Sequence, residues 1–91
     1  MKIFGSIFDA ADETPILGAK IVLSVDTIKM ATTHTDLDGK FELEQNLAEF
    51  KGRDLICKVS MSGYCTKEAA FKIEEDNLVI DLELMAENPD H

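Results

Sequence analysis

The sequence has 91 residues and contains no tryptophan, one tyrosine, two prolines and two cysteines, with nine basic residues against eighteen acidic ones. Each scarcity removes a class of function. A formal net charge of −9 without a long basic run argues against nucleic acid, because binding a polyphosphate requires Lys and Arg to neutralise it. Anionic membrane surfaces are disfavoured for the same reason. The longest apolar runs, such as Ile21-Val22-Leu23, fall far short of the roughly 20 residues that cross a bilayer, so no membrane insertion is expected. The opening Met1 to Phe8 carries one positive charge and then meets Asp9, too soon for the apolar stretch of a signal peptide. The expected location is cytoplasmic if Met1 is the natural start, and periplasmic or extracellular if the domain comes from a longer exported chain.

Cysteine usage is equally sparse. Cys57 and Cys65 flank Ser62-Gly63, and a hairpin there would set Cys57 opposite a residue near Glu68 and Cys65 opposite one near Ser60. The two therefore do not face each other, their spacing matches no familiar metal site, and both read as buried reduced thiols.

What the chain does have is alternation. From Thr35 to Leu43 a polar strand runs into Asp36-Leu37-Asp38-Gly39 and out again with Phe41 and Leu43 alternating against Lys40, Glu42 and Glu44, a β-hairpin signature. Period-two patterning predicts strands near 2–8, 18–25, 28–35, 39–45, 54–61, 64–73 and 77–85. The inward sets are Ile3 and Ile7; Ala19, Ile21 and Leu23; Phe41 and Leu43; Leu55, Cys57, Val59 and Met61; Ala69, Phe71 and Ile73; and Leu78, Ile80, Leu82 and Leu84. The expectation is an all-β, seven-stranded antiparallel Greek-key sandwich of immunoglobulin-like shape. A chain this short holds one core, so residues 1–85 form one domain, followed by a frayed C-terminal tail over 86–91. Only 46–52 breaks the pattern: Asn46, Glu49 and Gly52 suggest one short helical turn, with Leu47 and Phe50 on a shared face closing the bottom of the sandwich.

Several of these stretches, read together, resemble the carboxypeptidase regulatory-like family: Ile3 to Asp9, Pro15 to Leu23, Thr35 to Phe41 and Ser60 to Tyr64. The resemblance implies a transthyretin-like, prealbumin-type β-sandwich. Members of that family are usually accessory modules attached to peptidases, outer-membrane receptors or surface proteins, so it implies no catalytic residue in this chain. Transthyretin-like folds also host a hydrolase of purine breakdown, built on several His and Arg, and intradiol dioxygenases whose iron needs paired Tyr and paired His. With Tyr64 as its one tyrosine and His34 and His91 as its histidines, this chain lacks both inventories. Neither an enzyme nor a cofactor is expected.

Candidate sites are then loops and flat faces. Asp9, Asp12, Glu13, Asp36 and Asp38 fall at one end of the predicted sandwich, and hard oxygens at that density could hold Ca²⁺, although Asp-x-Asp-Gly is also ordinary turn chemistry. The EF-hand spacing is absent. His34, Asp36 and Asp38 alternate, yet one histidine is thin support for a transition metal. On the outer face of the first strand, Phe4 and Phe8 point away from the core, and antiparallel pairing would join them to Val22 and Ile56 in an apolar patch suited to a protein partner or a homodimer. The expected function is a non-catalytic interaction module contacting protein through an outer sheet face or edge strand. The alternative is a weak carbohydrate- or Ca²⁺-binding module using the acidic loops, without the tryptophan platform that sugar sites favour.

Overall fold

Alternating side chains close around one apolar interior in the computed structural model, which describes residues 1–74 and 77–87. The strands are β1 (Lys2–Asp9), β2 (Lys20–Val25), β3 (Ile28–His34), β4 (Lys40–Glu44), β5 (Asp54–Ser60), β6 (Lys67–Lys72) and β7 (Leu78–Leu84). They form a three-stranded sheet in the order β4-β1-β7 and a four-stranded sheet in the order β3-β2-β5-β6. Ile3, Ile7, Ile21, Leu55, Cys57, Val59, Ile80 and Leu84 are fully buried between them. Burying such a side chain stabilises the fold by about 1.5–3 kcal/mol.

One pairing departs from the antiparallel expectation. The link from β6 to β7 carries the chain from the four-stranded sheet to the three-stranded one, and β7 lands alongside β1 running in the same direction, from Ile3↔Leu78 to Asp9↔Leu84. Parallel pairing requires such a crossover, which alternation within a strand does not encode.

Gly5 sits at the middle of this arrangement, opposite Phe41 on one side and Ile80 on the other. A Cβ there would lie 1.7 Å from the Ile80 carbonyl oxygen and 2.5 Å from its carbon. The space at Gly5 is thus filled by the backbone of β7, the close backbone approach that a glycine within a strand permits. Gly39, at φ +71°, is tied in the same way: a Cβ would stand 2.7 Å from the Ile7 carbonyl oxygen, while the Ile7 amide donates to the Gly39 carbonyl at 2.8 Å.

Turns complete the frame. Asp26 and Thr27 join β2 to β3 with φ of 50° and 71°, the two-residue hairpin in which both positions are left-handed. The Arg53 guanidinium forms an ion pair with Asp26. Residues 48–50 make a 3-10 turn in which the Asn46 carboxamide accepts the Ala48 amide at 3.2 Å, and Leu47 is buried beneath it with Phe50 packed against the core. Cys57 is buried, but Cys65 is exposed, because its place beyond the β5–β6 turn falls outside the strands; both thiols are free. Ala86 bridges Tyr64 and the Glu87 amide donates to the Gly63 carbonyl at 3.0 Å, so the chain stays attached two residues past the boundary expected at 85. Residues 88–91 of the expected tail lie outside the described residues.

Two substitutions test this frame. Gly5→Ala must push β7 away from β1 and is expected to destabilise the fold by about 3 kcal/mol, at the upper end for overpacking, read from the urea midpoint. Thr27→Gly removes a left-handed conformation that costs an L-residue about 1–2 kcal/mol and adds unfolded-state entropy, so a net gain of up to about 1 kcal/mol is expected in the same measurement.

Candidate functional site

The acidic loops do gather at one end, since β1 and β7 both finish there and Tyr64 reaches it from the β5–β6 turn. The carboxylates of Asp9, Asp12 and Asp36, however, are engaged in hydrogen bonds. Asp9 accepts the Ala11 amide on Oδ1 and the Tyr64 hydroxyl on Oδ2, each at 2.7 Å. Asp12 Oδ1 accepts the Thr14 amide at 3.1 Å and its hydroxyl at 2.7 Å. Asp36 Oδ1 accepts the amides of Asp38 and Lys40, both at 2.9 Å. Those from the amides of Ala11, Thr14 and Asp38, each two residues on, are the Asx-turn bonds that make Asp favourable at such positions.

Asp9 ends β1 and Asp12 and Glu13 follow it in the β1–β2 loop, while Asp36 and Asp38 belong to the β3–β4 turn. Among the described residues no group of three or more His, Cys, Asp or Glu side chains could hold a metal ion, so neither the calcium set nor His34 with Asp36 and Asp38 is assembled as one. The two acidic segments are instead joined by Thr35, a buried polar residue that composition does not single out. Its hydroxyl donates to the Ile16 carbonyl at 2.5 Å and accepts the Ala19 amide at 2.9 Å.

The apolar patch is divided by the sheets. Phe4 and Phe8 face outward on β1 and are half-buried, as the alternation with Ile3 and Ile7 requires. Val22 and Ile56 lie in the other sheet, where Val22 pairs with Lys58 and Ile56 with Ser24. They cannot join the phenylalanines, because β1 and β2 are not hydrogen-bonded neighbours and outward residues of stacked sheets point opposite ways. The neighbours of Phe4 are Glu42 on β4 and Val79 on β7, and Val79 is 51% exposed. Phe8 lies beside Glu83 and bridges Pro15.

Around Phe4 this face dips into a concavity of about 560 Å³ lined by Phe4, Ser6, Val79, Lys40, Glu42 and Asp81, with Thr33, His34 and Asp36 at the β3–β4 corner. Lys2 and Glu42 form an ion pair beside it at 3.4 Å. Sequence reading missed Val79 and Asp81, because only the parallel placement of β7 brings them to Phe4. A smaller hollow of about 260 Å³, lined by Met1, Asn46, Leu47, Ala48, Lys51 and Glu74, lies where the 3-10 turn closes the sandwich.

Two environments shift titrations. Burial pushes the Cys57 thiol up to about 11, so it is a poor nucleophile at neutral pH. The Tyr64 hydroxyl, followed by the Ala11 amide, holds the Asp9 carboxyl below its usual value of 3.8, and the same bond raises Tyr64 above 10.0. Asp9 thus contributes stability that is fully present above its unfolded pKa and is lost as pH falls through its lowered folded pKa, a window below pH 3.8. Tyr64 contributes stability present below pH 10.0 and lost as pH rises through its raised folded pKa. With one tyrosine and no tryptophan, phenolate absorbance reports this bond alone. Wild type is expected to titrate above pH 10.0, and Asp9→Asn to move the midpoint back towards it. An unchanged midpoint would show that the bond does not form in solution.

Comparison with solved structures places the fold. The 5-hydroxyisourate hydrolase of Klebsiella pneumoniae superposes with a TM-score of 0.72 at 16% identity, covering 94% of this chain and 91% of that one. Catechol 1,2 dioxygenase of Acinetobacter radioresistens gives 0.69 at 14% identity over 94% of this chain and 52% of that one. A protein of Bacteroides uniformis to which carbohydrate binding has been ascribed gives 0.70 at 14% identity over 93% and 41%. At these identities the likeness is one of fold, transthyretin-like and all-β. No curated protein sequence matches the chain. The model of the CarboxypepD_reg-like domain matches residues 3–90, nearly the whole length, and the chain belongs to that family.

Proposed function

We propose that this domain is a non-catalytic accessory module that contacts protein through the outer face of its three-stranded sheet. The observation that carries the reading is the pairing of Phe4 with Val79, two outward apolar side chains on adjacent strands with Phe8 further along β1. Apolar groups left together on a sheet face and rimmed by charge are what a contact surface needs: a part that excludes water and a polar border that sets orientation. Here the border is Lys40, Glu42, Asp81 and Glu83, all exposed. Membership of a regulatory-like domain family supports an accessory role. The amino-acid inventory agrees, with one Tyr, one Arg and two His to furnish any active centre.

A second reading, weak carbohydrate binding, is favoured by one observation. The concavity beside Phe4 offers an aromatic side chain together with donors on Lys40 and acceptors on Glu42 and Asp81, the mixture a polyhydroxylated ring requires.

Both readings turn on the same side chain, and Val22, on the opposite sheet, supplies the control. Phe4→Asp is expected to abolish capture of partner protein from the host extract by the immobilised domain, while Val22→Asp, on the opposite sheet, leaves capture intact. Each variant must keep a cooperative melt. Equal capture by wild type and Phe4→Asp would overturn the protein-contact reading. Retention of wild type, but not Phe4→Asp, on a polysaccharide column would replace it with the carbohydrate one.

A further inference from the structure

The two sheets do not match in width. Counted from the corner where residues 35–39 join β3 to β4, the three-stranded sheet ends at β7, one strand before the four-stranded sheet ends at β6, so the count leaves β6 without a counterpart. Burial follows this count. The inward side chains of β5, Leu55, Cys57 and Val59, are completely covered, whereas Ala69 and Phe71 beside them on β6 are only half-buried. On β7, Leu78 and Leu82 face inward yet are also half-buried, in contrast to Ile80 and Leu84. Among the described residues, no strand pairs with the outer edge of β7. A place one strand wide is therefore open beside β7, with apolar side chains beneath it and unpaired backbone groups along it.

The four edge strands differ in how they resist pairing with foreign chains. Lysine on the edge is a common guard, and β3 carries Lys29, β4 carries Lys40, and β6 carries Lys67 and Lys72. β7, Leu-Val-Ile-Asp-Leu-Glu-Leu, has no lysine, no proline and no bulge in its pairing with β1. Its outward positions are Val79 and the exposed acids Asp81 and Glu83. Those acids choose the occupant. A second copy pairing through β7 would set carboxylates beside carboxylates between two chains that each carry −9.

We infer that the outer edge of β7 is a strand-addition site for an extended segment of a partner protein whose inward side chains are apolar and whose outward side chains are Lys or Arg. Backbone hydrogen bonds to β7 would give the affinity. Apolar residues over Phe71, Leu78 and Leu82, with cations beside Asp81 and Glu83, would give the choice of sequence. The inference rests on the protein-contact reading above and names the kind of segment such a partner supplies.

The probe is a seven-residue capped peptide alternating valine and lysine, matched to the length of β7, with binding followed by backbone amide shifts. Its controls replace lysine with glutamate, or a central valine with proline, which removes an amide donor and the extended run. The lysine peptide is expected to shift β7 amides and to bind at least about tenfold tighter than the glutamate peptide, a difference of about 1.4 kcal/mol. Asp81→Lys with Glu83→Lys is expected to reverse that order, and proline to abolish binding. Absence of binding, equal binding of the proline peptide, or an order unchanged by the charge reversal would overturn the inference. So would a dimer in sedimentation that the charge reversal changes, since a second copy would then hold the edge. Phe4→Asp lies on the sheet face and leaves the edge intact, so lost capture with retained peptide binding, or the converse, separates failure of one reading from failure of the other.

Discussion

The approach of β7 to Gly5 is the contact on which the three-stranded sheet depends. A strand that joins its neighbour in parallel must return from the other sheet and still find a surface on which to register, and here that surface is a missing side chain. With the Ile80 carbonyl 1.7 Å from where a Cβ would stand, β1 tolerates hydrogen alone at this position. What the close approach secures is larger than one residue. It puts Ile80 and Leu84 over the core, Val79 beside Phe4, and the outer edge of β7 in the open.

The acidic end illustrates how charge can be structural before it is functional. A cluster of carboxylates within two short segments invites a cation, yet each accounted oxygen of Asp9, Asp12 and Asp36 accepts a hydrogen bond from an amide or hydroxyl of its own end of the sandwich. Such bonds satisfy turn amides that would otherwise rely on water, and they explain why Asp recurs there. Thr35 extends the same economy inward, joining the β1–β2 loop to the β3–β4 turn through one buried hydroxyl. The outer face of the three-stranded sheet differs from these loops: there the outward apolar side chains of Phe4 and Val79 stand together on adjacent strands.

Most of the fold was legible in the chain. Period-two alternation located the strands to within a few residues, and Ile3, Ile7, Ile21, Leu23, Leu55, Cys57 and Val59 of the expected inward sets are buried, because a residue in a strand has only two faces to choose between; Met61, expected among them, lies past the end of β5 and is half-buried. The Asn46 to Gly52 segment was readable for a similarly local reason. The candidate patch was readable only in part. That Phe4 and Phe8 face outward follows from their spacing from Ile3 and Ile7, but their companions depend on which strands lie beside β1, and adjacency in a sheet is not a local property.

Sequence by itself determined the face each strand residue occupies, the turns, the single apolar interior and the acid surplus, all of which follow from short-range sterics, side-chain chemistry and counting. Tertiary structure alone decided that Val22 and Ile56 belong to a different sheet from Phe4, that Val79 and Asp81 stand beside it, and that three strands face four. The reason is the crossover: β1 and β7, distant in sequence with Ile3 paired to Leu78, become neighbours only when the chain has passed from one sheet to the other, and the backbone gap at Gly5 selects the partner that fits.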